Sequence, residues 1–396
     1  VSMETSSRSI GVGLVSVGWM GRLHSRAYTL IPHYYPELGI RPVLVTAADV
    51  AEQGRDYATS VLGFRSSTAD YRAVIEDPAV DVVSICAPNA LHREIAVAAA
   101  AAGKPFWLEK PAGRTGAETE EIAAAATQAG VVTCVGFNYR HTPAVLHARE
   151  LIESGALGRI TNIRGRFFGG FSSDPEDPLT WRFTRESGGS GVLNDLMGHL
   201  VDLIQFLLGT IGSVAATTGT FIEDRPLLGG AEQRGAVENE DYATMLVEFA
   251  PDAVGSGALG SLEASRIAVG PKSEYGFEIF GTEGSLRWEF ERLNELEVAL
   301  TRSGPHVGYT RVFADRHFPG YARFQPSSGT GMGYDDLKTI EASLFLQAVL
   351  GGPALAGNIH DAVAASRVND AAEASAATHA WQDIVATAGT TSNNRD

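Results

Sequence analysis

Cysteine is nearly absent from this chain. Cys86 and Cys134 are the only two in 396 residues, too few for a disulfide framework or a cysteine-rich metal site. Both sit inside apolar runs, VVSICAP and VVTCVGF, where a free thiol behaves as a small hydrophobe, so a reducing compartment is expected. Basic residues are also in deficit: 31 Lys and Arg against 47 Asp and Glu leave a net charge of −16. A chain of that sign repels phosphate backbones and anionic lipid, which argues against nucleic acid and membrane surfaces as partners. No uncharged apolar run approaches the roughly 18 residues of a membrane span. The opening VSMETSSRS lacks the apolar stretch of a signal peptide, and a cytoplasmic protein is expected. Nothing resembles HExxH, and no metal is expected.

What is present is a balance of 44% hydrophobic and 20% charged residues, which excludes disorder as the main state. At roughly 150 residues per domain the length suggests two or three domains. From Ile10 to Phe137 short β-branched runs (10–17, 41–49, 81–88, 105–111, 131–137) alternate with Ala-rich helical stretches. Continuous apolar strands alternating with helices imply a doubly wound parallel sheet, an α/β domain over residues 1–137. Beyond Phe137 come a helix ending near Gly155 and strands with two-residue alternation at 159–168, 242–250, 273–281 and 284–290, with FGTEGSL as a hairpin turn. An α+β domain with a large, mostly antiparallel open sheet is expected over 138–396. One apolar helix, 190–209, interrupts it, and Ala-rich helices follow residue 336. Segment 223–240 is polar and Gly-bearing, which suits an exposed loop, and the terminal TTSNNRD is expected to fray.

The first strand runs into Ser16-Val17-Gly18-Trp19-Met20-Gly21. In a GxGxxG fingerprint the glycines let the backbone approach a pyrophosphate, and the helix that follows offers its free N–H groups. Ser16 replaces the first glycine, which a serine can do if its φ is negative; a plain strand-to-helix turn is the other reading. Asp49 ends the second strand, where a carboxylate can accept both adenosine ribose hydroxyls and repel a 2′-phosphate, favouring NAD over NADP; a solvated strand-end acid would look the same. The strands at 81–88 and 105–111 run into APNALH and LEKPAG. Strand C-termini of such a sheet face the ligand crevice, so Asn89, His92, Glu109 and Lys110 point toward the cofactor region; Ala87 and Pro88 are also expected to contact the cofactor. In GGSGVLNDLMGHLVD, Asp195, His199 and Asp202 fall at i, i+4 and i+7, on one helix face. That spacing fits a base with an orienting carboxylate one turn before it, or a polar helix face with an incidental ion pair.

Taken together, VGLVSVGWMGRLHSRAY, the APNALH…LEKP run, VGFNYRHTPAV, LTWRF and GGSGVLNDLMGHLVDL resemble the glucose-fructose oxidoreductase / inositol dehydrogenase / MocA family over about residues 10–385. The resemblance implies a Rossmann domain holding NAD through Gly18, Trp19, Met20, Gly21, Asp49, residues 87–89, His92, Glu109, Lys110 and Arg182. It matches Lys110, Asp195 and His199 to the family's catalytic Lys, Asp and His, and places Tyr139 and the Trp181–Arg182 pair in the cofactor–substrate pocket. The expected activity is oxidation of a secondary hydroxyl of a sugar or cyclitol, at C3, by a homodimer or homotetramer. His199 serves as base, Lys110 polarises the oxygen, and Asp195 orients His199 or binds a neighbouring hydroxyl. An NADPH-dependent keto-sugar reductase, a glycosidase that recycles bound NAD, and a non-catalytic NAD- or sugar-binding regulator are the alternatives.

Overall fold

The structure, a computed structural model, describes residues 8–300, 303, 305 and 307–384, without the side chains of 230–232. The expectations for the first seven residues and for TTSNNRD lie outside the described residues. Strands β1 (Arg8–Val15), β2 (Ile40–Ala48), β3 (Ser66–Thr68), β4 (Val82–Ile85), β5 (Phe106–Leu108) and β6 (Thr133–Val135) alternate with helices α1 (Trp19–Tyr34), α2 (Glu52–Tyr57), α3 (Tyr71–Glu76), α4 (Asn89–Ala101) and α5 (Gly116–Ala129). The strands form one sheet in the order β3-β2-β1-β4-β5-β6, parallel throughout. The order reverses between β1 and β4, and that crevice is where such sheets bind ligands. β3 is only SST and half exposed, which is why hydrophobic patterning alone does not find it.

After α6 (Pro143–Glu153) and β7 (Ile160–Phe168) come the single turn α7 (Arg185–Gly188) and the apolar helix α8 (Gly198–Leu208). The expected helix over 190–209 is not uniform: residues Leu193–Met197 form a π-helical turn running into α8. The segment Arg185–Leu208 is long and apolar enough to cross a bilayer, but 83% of that window is buried within the fold, as befits a core helix. Strands β8 (Ile211–Gly219), β9 (Asp224–Leu227), β10 (Gly230–Ala236), β11 (Tyr242–Phe249), β12 (Leu259–Ser265), β13 (Glu274–Gly281), β14 (Ser285–Glu289), β15 (Glu295–Ala299) and β16 (Thr310–Phe313) follow. Last come α9 (Tyr321–Phe324), α10 (Tyr334–Val349), α11 (Ile359–Thr378) and β17 (Gln382–Asp383). Nine strands make a sheet in the order β16-β15-β14-β13-β7-β12-β11-β8-β17, antiparallel except where β12 runs parallel to β7. The hairpin expected at FGTEGSL joins β13 to β14. α10 packs on α1 and α11 on β8 and α5, so the C-terminal helices join the two sheets into one core.

Segment 223–240 meets its expectation only in part. Most of its described residues are exposed, but it is not a loop: β9 and β10 pair antiparallel, and Arg225, Asn239 and Glu240 are buried. Polar composition misleads here because the buried groups find partners in distant backbone, as described below.

Ser16 also departs from expectation, with φ +75°. Its N–H donates to the Ala48 carbonyl at 2.8 Å, which holds the turn in the left-handed region. A Cβ on Gly21 would lie 2.1 Å from the Ser16 carbonyl oxygen, so the helix can start this close only with glycine there. Left-handed backbone costs a non-glycine residue about 1–2 kcal/mol, against about 0.5–1 kcal/mol for glycine's extra freedom in the unfolded chain. Ser16→Gly is therefore expected to stabilise the protein by about 0.5–1 kcal/mol, read as a higher urea midpoint at unchanged slope; a lower midpoint would show that the serine side chain contributes more than its backbone strain costs.

Candidate active site

A cavity of about 690 Å³ lies at the C-terminal ends of β1, β4 and β5, closed on its other side by residues 170–183 and the start of α8. From the first turn Gly18, Trp19 and Met20 line it, and Ala87, Pro88, Asn89 and His92 follow from the start of α4. Glu109 and Lys110 come from the end of β5, and Tyr139, Trp181, Arg182, Asp195 and His199 from the second half of the chain. Gly21 and Asp49, also expected at the cofactor, do not line the cavity. Asp49 braces the turn instead, its carboxylate accepting from Val17 N at 2.7 Å and Ala51 N at 2.8 Å. Each carboxylate oxygen has a second lone pair to offer, so ribose binding at Asp49 is still compatible with this arrangement. Arg55 is turned onto the Asp49 and Val50 carbonyls.

The Lys110–Pro111 peptide is cis. Lys110 Nζ donates to Asp195 Oδ1 at 2.6 Å and to the Asp195 carbonyl at 3.0 Å. Of its three N–H groups, two are thus committed. Withdrawal from bulk solvent opposes ionisation of Asp195, but Lys110, with Arg182 and His199 nearby, holds its carboxyl below the usual carboxylate range. No hydrogen bond joins Asp195 to the His199 ring among the described residues. The expected orienting contact is replaced by one to Lys110, because the π turn at 193–197 breaks the regular i, i+4 alignment. Asp202 does not face the cavity at all: it is buried in an ion pair with Arg140.

His199 is buried against an aromatic wall, with ring centroids of Tyr139 at 4.8 Å, Phe137 at 6.1 Å and Phe167 at 6.2 Å. Tyr275 donates its hydroxyl to the His199 carbonyl at 2.9 Å, fixing the backbone. Burial, then the Lys110 charge, pushes the imidazole well below its ordinary pKa, so the ring is a neutral base at neutral pH. His92 serves differently: its Nδ1 and Nε2 contact the carbonyls of Pro111 and Ala87 at 2.8 and 2.7 Å, tying the β4 and β5 turns together with neither nitrogen free for a ligand. Asn89 donates to the Gly188 carbonyl at 3.1 Å. Arg182 lies over the Trp181 ring, 4.4 Å from its centroid.

Glu109 is mostly turned inward. Its Oε1 takes His24 Nε2 at 2.9 Å and Lys338 Nζ at 2.6 Å, and Lys338 also reaches Glu341 at 2.9 Å. Lys338 and Tyr334, which lines the cavity and stacks 5.8 Å from Trp19, escape the sequence reading. They sit on α10, more than 220 residues from the motifs they meet, and periodicity marks that helix only as a packing element. Phe171 and Asp177 line the cavity as well, from a segment without motif.

The first turn suits a dinucleotide. α1 has 16 residues, no side-chain N-cap and no acid in its first turn, leaving amide N–H groups and a positive helix end for phosphates. Gly21 lets α1 start against the Ser16 carbonyl. Among the described residues no group of three or more His, Cys, Asp and Glu is placed to hold a metal.

Residues 10–137 match the family model described as "Oxidoreductase family, NAD-binding Rossmann fold", and residues 145–287 match the "GFO/IDH/MocA C-terminal domain". The chain is 38% identical over 394 residues to the levoglucosan dehydrogenase of Pseudarthrobacter phenanthrenivorans, covering 95% of this chain and 98% of that one. It is 27% identical over 316 residues to the myo-inositol 2-dehydrogenase of Thermotoga maritima, covering 78% of this chain and 84% of that one. A solved levoglucosan dehydrogenase in complex with NADH and levoglucosan superimposes with a TM-score of 0.90 at 38% identity, over 95% of this chain and 100% of that one.

Proposed function

Since the chain belongs to the GFO/IDH/MocA family of NAD-binding oxidoreductases, we propose that it oxidises a secondary hydroxyl, at C3, of a sugar, anhydrosugar, glycoside or cyclitol. Residues 1–137 hold NAD and residues 138–396 hold the substrate and the contacts of a homodimer or homotetramer. Bound NAD supplies the acceptor for the hydride that leaves the carbinol carbon. Gly18, Trp19, Met20 and the amide N–H groups at the start of α1 hold its phosphates, and the Asp49 carboxylate at the end of β2 disfavours a 2′-phosphate.

The observation that carries this reading is the Lys110–Asp195 contact in the cavity that His199 also lines. Two of the three Lys110 N–H groups are held by Asp195; the third is left to bind the substrate oxygen and stabilise negative charge as it develops. His199, neutral for the reasons given, takes the hydroxyl proton. Asp195 is a positioning group for Lys110. Tyr139, Trp181 and Phe171 offer flat apolar surface to the C–H face of a sugar ring.

The experiment is a screen of pyranoses, anhydrosugars, glycosides and inositols with NAD and NADP separately, followed at the NADH absorbance. NADH should accumulate with at least one cyclic polyol, NAD should exceed NADP, and NMR of the product should place the ketone at C3. Silence across the panel would sink the proposal; glycosidic cleavage without net NADH would replace it with the cofactor-recycling glycosidase.

A further inference from the structure

The segment 170–183 contributes Phe171, Asp177, Thr180 and Trp181 to the side of the cavity away from the first turn, yet apart from the short turn Trp181–Phe183 it has no regular structure. Short turns of its own (Ser173 N to the Gly170 carbonyl at 3.1 Å, Asp177 N to the Asp174 carbonyl at 3.2 Å) and Ser172 N on the Arg266 carbonyl at 3.0 Å fix part of it, and the β9–β10 region supplies further ties. Leu179 N donates to the Pro226 carbonyl at 2.7 Å, Glu238 N to the Phe183 carbonyl at 2.9 Å, and Asn239 Nδ2 to the Arg182 carbonyl at 2.9 Å. Each of these partners belongs to the β9–β10 hairpin or the residues just after it.

The central tie is Arg225 on β9. It is fully buried, donates from Nη2 to the Ser172 carbonyl at 2.5 Å and from Nη1 to the Asp174 carbonyl at 2.7 Å, and lies 4.2 Å from the Phe183 ring centroid. Arg266 lies 4.7 Å from the same ring but is neutralised by Asp241 at 2.8 Å. Arg225 has no ion-pair partner among the described residues, and its Nε is unpartnered. A buried guanidinium with no carboxylate in direct contact is an expensive group to keep, and its two committed hydrogen bonds go to the Ser172 carbonyl in the cavity wall and to the Asp174 carbonyl between Ser172 and the lining Asp177. Arg225 does not line that cavity and bonds to none of the groups on the dinucleotide side.

We propose that Arg225 is a positioning residue for substrate recognition: by holding the Ser172 and Asp174 carbonyls it sets the loop that carries Phe171, Asp177 and Trp181 against a monosaccharide-sized ring. The proposal rests on the sugar-oxidising reading above. Its signature is a rise in the sugar KM with cofactor affinity unchanged, because the tie acts on one wall only.

The test uses the full chain with Arg225→Met and Arg225→Lys, steady-state kinetics at saturating NAD, NADH binding by fluorescence, and hydrogen exchange of peptides spanning 170–183. Arg225→Met is expected to raise the sugar KM about tenfold, the scale of one lost charged hydrogen bond, with kcat within about threefold, NADH affinity unchanged and faster exchange at 170–183. Arg225→Lys, which keeps the charge but one donor centre, should recover part of the KM. An unchanged KM in a folded variant overturns the proposal, as does a loss of NADH affinity in step with KM. Should Arg225→Met fail to fold, Arg225→Lys decides by the same criteria. A wild-type protein that turns over no sugar refutes the functional reading instead, while exchange at 170–183 still reports whether Arg225 holds the loop.

Discussion

His199→Asn is expected to lower kcat for sugar oxidation by about 10²- to 10⁴-fold, the range in which a positioned base contributes, while NADH still binds. Asparagine keeps approximately the volume that packs against Tyr139 and Phe137 but cannot take a proton. The pH profile sharpens the expectation. Burial and the Lys110 charge hold the ring well below its ordinary value, so the unprotonated base persists as the pH falls through the usual imidazole range, and the wild-type rate should show no acid limb near pH 6.5. Lys110→Met removes the second of those causes. Its residual rate should be lower, through loss of the oxygen-binding N–H, and its acid limb should move up toward neutrality. A wild-type limb at the ordinary imidazole pKa, or turnover undiminished in His199→Asn, would take this histidine out of the chemistry.

How far such a site can be read from residue order alone depends on the range of the contacts that build it. The turn after β1, the strand ends at Ala87 and Lys110, and the Asp195–His199 spacing at the start of α8 are local patterns, and the structure puts all of them around one cavity. The pairing of Asp195 is not local: the i, i+4 rule points it at His199, whereas the π turn over Leu193–Met197 and the end of β5 give it to Lys110. Ser16 was readable as a missing glycine but not as a left-handed residue, since its φ is imposed by the bond to Ala48 on the neighbouring strand. Arg225 is the extreme case. Its burial is compensated by carbonyls some fifty residues earlier, and a polar, glycine-bearing stretch carries no sign of that.

Lys338→Met should destabilise the fold by about 3–5 kcal/mol, the scale for breaking a buried ion pair from one side. Lys338 is wholly buried, bonded to Glu109 and Glu341, and lies 5.4 Å from the Trp107 ring centroid. Burial works against both charges, but Lys338 and His24 hold Glu109 well below the usual carboxylate range, and the two glutamates hold the lysine well above its own. Glu341, whose Oε1 has no partner, is pushed by burial up to about 7 despite the lysine. The sign of the pH dependence follows. Glu109 contributes stability that is present above the unfolded carboxylate value near 4.3 and lost only as the pH falls through its depressed folded value. Lys338 contributes below its unfolded value near 10.4 and loses it at more alkaline pH. Both contributions are complete between about pH 5 and 8. Without the cation the buried carboxyls titrate higher still, so the deficit of the variant should be largest near pH 8 and shrink toward pH 5 as they protonate. Urea midpoints of wild type and Lys338→Met at the two pH values measure this directly. Glu109 is also the residue before Lys110, so loosening it should reach the site: kcat is expected to fall in the variant even where it remains folded. A deficit that stays constant with pH would mean that α10 packing, and not its charge, is what the lysine contributes.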